Sequence, residues 1–238
     1  HDNLLHSVRG TAGLNHIMHL DMLDLKRNII EEFNDFNLQV KHLELKSNAL
    51  QTLEIHHAQS MTLDASENNL TSFVALGRFT RLDLSRNDFK FLSQVEIKEA
   101  KILNLSYNQI ESCLESSVGE ESDEETNFSN EEGNERDGII TEILDISHNN
   151  ISSMKDLHLF KFCEYIILEG NELKNLDFEK IRQDFPRLKR MNLINNPLTD
   201  FDLTEIKFHN DTRFLNIHFD YAIVIESPET TLLPQLSI

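Results

Sequence analysis

Apolar residues along this chain follow one recurring pattern. Three clear copies are Leu20-x-x-Leu23-x-Leu25-x-x-Asn28-x-Ile30, Phe79-x-x-Leu82-x-Leu84-x-x-Asn87-x-Phe89 and Leu188-x-x-Met191-x-Leu193-x-x-Asn196-x-Leu198. Inside each copy the apolar residues alternate with polar ones for a few positions. That alternation predicts a short strand with one buried face. The asparagine then predicts a turn, because its amide can both donate to and accept from backbone groups left unpaired at a bend. Nine copies can be placed by this asparagine or its substitute: Asn28, Asn48, Asn68, Asn87, Asn108, Asn149, Asn171, Asn196 and Asp220. Successive intervals are 20, 20, 19, 21, 41, 22, 25 and 24 residues. The first apolar positions fall at Leu20, Val40, Ser60, Phe79, Ala100, Thr141, Cys163, Leu188 and Thr212, several of them degenerate.

A period of this length with one strand per copy is the signature of a leucine-rich repeat solenoid. The expected fold is an α/β horseshoe with a parallel concave sheet of about nine strands. Strands stacked at roughly 4.8 Å would span about 40 Å. A second apolar residue after each turn (Phe33, Leu53, Phe73, Leu92, Cys113, Met154, Leu176 and Phe201) is expected to fill the core beneath the convex side. The shorter repeats leave room only for irregular or 3₁₀ backbone there. In a later, longer repeat, Phe178, Ile181, Phe185 and Leu188 have near-helical spacing and Pro186 stops the turn, so one or two short helices are expected late. Residues 1–16 fit the repeat poorly and read as a degenerate first coil or an irregular cap. Tyr221–Ile225 reads as a last short strand. The repeat domain is taken as residues 1–225, with 226–238 as a tail or linker.

The interval of 41 marks an insertion. Residues 115–138 hold ten acidic residues and one basic one, Arg136, and almost nothing apolar. Such a segment cannot repay the entropy of ordering and is expected to be a disordered loop. Ser122 and Ser129, each followed by acidic residues, suit acid-directed kinases.

Net charge is −19 over 238 residues, which argues against nucleic acid as a partner, since phosphate binding needs clustered Lys and Arg. No apolar run is long enough for a membrane span, so direct membrane insertion is not expected. No phosphate loop, nucleophile elbow or paired-cysteine motif is present, and the 11 histidines lack partners at zinc-ligand spacing. No enzyme activity, cofactor or metal is therefore expected. Cys113 and Cys163 lie nearly two coils apart and read as two separate buried thiols. Five glycosylation sequons occur, at Asn69, Asn104, Asn127, Asn150 and Asn210. Asn69 and Asn150 fall at outward turn positions. Asn104 points from a strand onto the concave face, where a glycan would block part of a binding surface.

Between the core leucines, strand residues point onto the concave face. The central column reads Asp24, Glu44, Asp64, Asp83, Asn104, Asp145, Ile167, Asn192 and Asn216. The flanking column reads Met22, His42, Thr62, Arg81, Ile102, Ile143, Tyr165, Arg190 and Phe214. Ile102, Ile143, Tyr165, Ile167, Ile194 and Phe214 are expected to form an exposed apolar patch ringed by acidic groups, with Tyr107 and His148 beside it. Apolar area of this kind usually marks a protein interface, and Tyr is a favoured anchor.

On these motifs the chain is identified as a member of the leucine-rich repeat family over residues 20–220. Its irregular copies resemble those of secreted insect leucine-rich immune proteins and Toll-type receptor ectodomains. That resemblance implies extracellular recognition of a protein partner in innate immunity or cell-surface signalling, such as another leucine-rich repeat protein or a complement-like factor. The second reading is an intracellular scaffold or enzyme-regulatory subunit, as in phosphatase-regulator repeats. Sequons favour the first reading. Reduced cysteines, missing cysteine caps and the acidic insertion favour the second, cytoplasmic one.

Overall fold

The computed structural model describes residues 3–9, 18–34, 38–114, 138–199 and 216–218. Nine strands pair in parallel and in chain order: Met18–Asp24, Leu38–Glu44, Thr52–Asp64, Ser72–Asp83, Glu99–Asn104, Ile143–Asp145, Tyr165–Ile167, Arg190–Asn192 and Asn216–His218. The chain is thus a leucine-rich-repeat-like solenoid, one coil per repeat. The repeat leucines and isoleucines stack into one core in which Leu45, Leu63, Leu82, Leu103, Leu144 and Ile166 are completely buried. Each such side chain contributes about 1.5–3 kcal/mol by leaving water.

The repeat asparagine ties each coil to the one before. Asn87 is typical: its Nδ2 donates to the carbonyls of Ala65, Leu84 and Ser85, and its Oδ1 accepts from the Leu70 amide. The same arrangement recurs at Asn68, Asn108, Asn149 and Asn196, so a buried or half-buried amide closes the backbone accounts at these bends. The turn also needs left-handed backbone just before each asparagine. Arg27, Ser47, Glu67, Arg86, Tyr107, His148 and Asn195 all have φ between 53° and 57°, and Gly170 takes the same place at 66°. A side chain tolerates this region at a cost of about 1 kcal/mol, which the asparagine bonds offset.

Repeat length decides the convex side. In the short early coils it is extended and forms further parallel pairs, Ser7–Val8 with Glu32–Phe33, Thr52–Ile55 with Ser72–Ala75, and Phe73–Val74 with Val95–Glu96. Later come 3₁₀ turns at Leu92–Gln94 and Met154–Phe160, then an α-helix at Phe178–Asp184 in the coil with the 25-residue interval. Asp177 caps that helix by accepting from the Lys180 amide, while Phe178 and Ile181 face the core.

The structure corrects several expectations. Ser60 is exposed at φ 54°, and a bulge lets Met61, 2% exposed, pair with Phe79 in its place. Met154 is only half-buried, because Leu157 and Phe160 fill the core from its 3₁₀ turn. In the last copy Arg190 pairs with Asn216 and Asn192 with His218. The register is therefore two residues later than Asp220 implied, and Asn216 leaves the central column. Long spacing in a degenerate repeat hid that shift. Residues 3–9 are part of a coil, not an irregular cap: Ser7 registers with Glu32, and the Leu5 amide donates to Asn28. Phe201, Asp220, Tyr221–Ile225, the tail 226–238 and the insertion from 115 to 137 lie outside the described residues.

The insertion does not break the sheet. Ile102, Leu103 and Asn104 pair directly with Ile143, Leu144 and Asp145. The described residues resume at Gly138, which is buried so close to Leu159 that a Cβ would overlap its carbonyl oxygen. From there Ile140 exchanges backbone bonds with Lys98 and Ala100.

Candidate functional site

The outward residues of the sheet fall into registered rows, because parallel pairing without slippage puts equivalent positions side by side. One row runs Arg81, Ile102, Ile143, Tyr165, Arg190. Its three apolar members are each partly exposed, and Arg190 is exposed. The adjacent row runs Asp83, Asn104, Asp145, Ile167, Asn192. The structure therefore brings Ile102, Ile143, Tyr165 and Ile167 together as the sequence predicts. Phe214 lies outside the described residues.

The acidic groups predicted around the patch flank it, and they are engaged rather than free. Asp83 Oδ1 accepts from the backbone amide and the hydroxyl of Ser85, at 3.1 and 2.6 Å, and Asp145 does the same with Ser147 at 3.0 and 2.7 Å. Asp64 holds Ser66 identically. These carboxylates cap the strand-to-turn bend, as short polar side chains do in Asx turns. Beyond the apolar row on the other side, charges are paired across coils: Lys101 with Glu142 at 3.4 Å and Lys189 with Glu164 at 2.6 Å. The ends of the apolar row are basic. Arg81 lies 3.4 Å from the second Asp83 oxygen with its side chain 52% exposed.

Tyr107 and His148 do not join this face. They occupy the left-handed turn positions at the sheet's edge and stack on each other, ring centres 4.3 Å apart at 21°. The Arg86 guanidinium covers the other face of Tyr107 at 4.1 Å. A Cβ on Gly170 would collide with His148, so the stack requires glycine in the next coil. Sequence reasoning missed Arg86. The clue lies in its register: it precedes a repeat asparagine, as Tyr107 and His148 do. Ile194 belongs to this edge as well, partly buried, with its amide donating to Asn192.

Of the sequons, Asn69 and Asn150 are exposed in equivalent turn positions. Asn104 is engaged: its Nδ2 donates to Asp83 and its Oδ1 accepts from the Ser106 amide. Asn127 and Asn210 lie outside the described residues.

In the early coils the central row is Asp24, Glu44, Asp64 and Asp83. Burial, then the Asp64 charge, pushes the Glu44 carboxyl above the usual glutamate range. A raised folded-state value means that the folded protein binds the extra proton first. Stability therefore falls as pH rises from the unfolded value through the folded one, and stays lowered above it. Glu44→Gln is expected to stabilise the fold near neutral pH, by less than about 1 kcal/mol after solvent screening. The gain over the parent fades once acid protonates Glu44. Paired melts across that pH range check this, and a variant no more stable at neutral pH contradicts it.

Cys113 and Cys163 are buried and free. Burial pushes the Cys163 thiol up to about 12, which makes it an inert core group. Among the described residues no group of three or more His, Cys, Asp or Glu is arranged to hold a metal ion, and no helix is long and apolar enough to cross a membrane.

No family model and no curated protein matches the chain. Among solved structures it is similar to the functional domain of InlJ from Listeria monocytogenes, described as including a cysteine ladder. The two are 17% identical with a TM-score of 0.42, over 84% of this chain and 43% of that one. The chain thus spans less than half the length of that neighbour.

Proposed function

We propose that this solenoid is a non-enzymatic protein-binding module that uses its outward sheet face for extracellular recognition in innate immunity or cell-surface signalling. The observation that carries the binding reading is the registered row Ile102, Ile143, Tyr165, with Ile167 beside it, partly exposed on neighbouring coils, whereas in the early coils the same row is polar apart from Met22. Fixed apolar side chains on a rigid scaffold favour association, because little side-chain entropy remains to be lost. Tyr165→Asp is expected to weaken binding of a native partner at least about a hundredfold, in the range of interface anchors. The melting temperature should move little. Unchanged affinity would sink this reading.

Support for an extracellular setting comes from the two accessible sequons. Asn69 and Asn150 sit on one edge of the solenoid, three coils apart in register, so sugars there leave the sheet face open. Peptide mapping after glycosidase treatment of protein from its native source is expected to mark Asn69 and Asn150 and to leave Asn104 bare. An intracellular scaffold or enzyme-regulatory subunit is the second reading, favoured by two buried free thiols, and complete absence of glycan at both sites selects it. Under the first reading the partner is another leucine-rich repeat protein or a complement-like factor.

A further inference from the structure

We infer that the sheet face takes an extended peptide segment lying across the strands, with two apolar side chains between two carboxylates. The inference rests on the proposed binding role of this face and names the chemistry of what it binds. Arg81 and Arg190 bracket the apolar row, one at each end, in a chain whose net charge is −19. Around the row the lysine and glutamate charges cancel, and the carboxylates of Asp83 and Asp145 stand beside it held by serine turns. Lys101 pairs with Glu142 and Lys189 with Glu164, while Asp145 holds the Ser147 turn. Among the described residues the exposed Arg190 has no ion-pair partner, and Arg81 shares only one oxygen of Asp83, whose other oxygen caps Ser85. The row therefore presents an apolar centre with a guanidinium group at each end, in surroundings close to neutral although the whole molecule is strongly negative. Those two guanidinium groups select acidic ends on the occupant.

The dimensions fit a strand-like segment. Four coil steps separate Arg81 from Arg190, about 19 Å at roughly 4.8 Å per step. An extended chain rises about 3.3 Å per residue, so six residues cover about 20 Å. In such a segment every second side chain faces the same way. Acidic residues six apart would then reach the two arginines, with apolar side chains at the second and fourth places between them lying on Ile102, Ile143 and Tyr165. Guanidinium groups hold carboxylates in paired, planar geometry, which adds selectivity over a simple positive charge.

The test is selection from a display library of random twelve-residue peptides on three forms of the full chain: the parent, Arg81→Glu/Arg190→Glu, and Tyr165→Asp. Circular dichroism and melting temperature establish that each is folded. The parent is expected to enrich peptides with two acidic residues six apart around apolar ones. The double charge reversal is expected to bind those peptides at least about tenfold more weakly and to enrich basic pairs at the same spacing. Arg190→Glu alone, which breaks no ion pair among the described residues, should reverse the preference at one end only. Enriched peptides that lack the acidic pair, or that bind the reversed protein equally well, overturn this inference while loss of their binding to Tyr165→Asp leaves the face as the binding site. A selection that enriches nothing, or whose peptides ignore Tyr165→Asp, overturns both.

Discussion

Asn108→Ala is expected to open the solenoid in its middle, with a loss of about 3 kcal/mol or more. The side chain is buried and fully engaged. Its Nδ2 donates to the carbonyls of Leu84, Leu105 and Ser106, and its Oδ1 accepts from the Phe89 amide. Alanine leaves the Phe89 N–H without that acceptor and strips a donor from two coils at once. Each buried polar group left unmade costs about 1–3 kcal/mol. Tyr107 also loses the neighbour that offsets its left-handed backbone, at φ 55°. In a solenoid each coil touches only its neighbours, so a weak interface in the middle divides the array into two blocks. The denaturant transition should therefore broaden, with a lower m-value as well as a lower midpoint. Gln109→Ala, at the exposed next position, is the control and should change little. A sharp, unshifted transition for Asn108→Ala would show that the asparagine ladder is not what joins the coils.

The same ladder explains why the architecture was legible from the sequence. A solenoid repeats one local solution, so each leucine and asparagine reports its own environment without knowledge of distant residues. The strands, the core and the late helix at Phe178–Asp184 followed from that. Errors arose where a coil departs from the average. The bulge that exchanges Ser60 for Met61, and the two-residue delay before Asn216, leave no mark in a count of positions. The candidate face was legible in its apolar row and illegible in its charges. Asp83 and Asp145 look like free carboxylates in a column of letters. Only side-chain geometry shows that the serine two residues on takes one oxygen of each. Tyr107 and His148 share one position of the repeat, but their stacking on the turn edge depends on left-handed backbone at both, which the spacing of apolar residues does not report.

A second expected result sets one buried atom against a whole segment. Gly138→Ala should cost about 2 kcal/mol, within the range for overpacking. Deleting residues 116–137 should leave the melting temperature within a few degrees of the parent. The contrast follows from where each change falls. An added Cβ at Gly138 meets the Leu159 carbonyl, a backbone group of the next coil that no rotamer change can move away. The deletion removes 22 residues from an interval of 41 and leaves 19, the interval already found between Asn68 and Asn87. The strands on both sides pair directly, so the shortened coil inherits a complete ladder. Because the glycine contact involves Leu159 and not the insertion, the cost of Gly138→Ala should be equal in the long and short proteins, a double-mutant cycle with no coupling. If the deletion collapses the fold while Gly138→Ala is harmless, the acidic segment and not the glycine contact holds this coil in place.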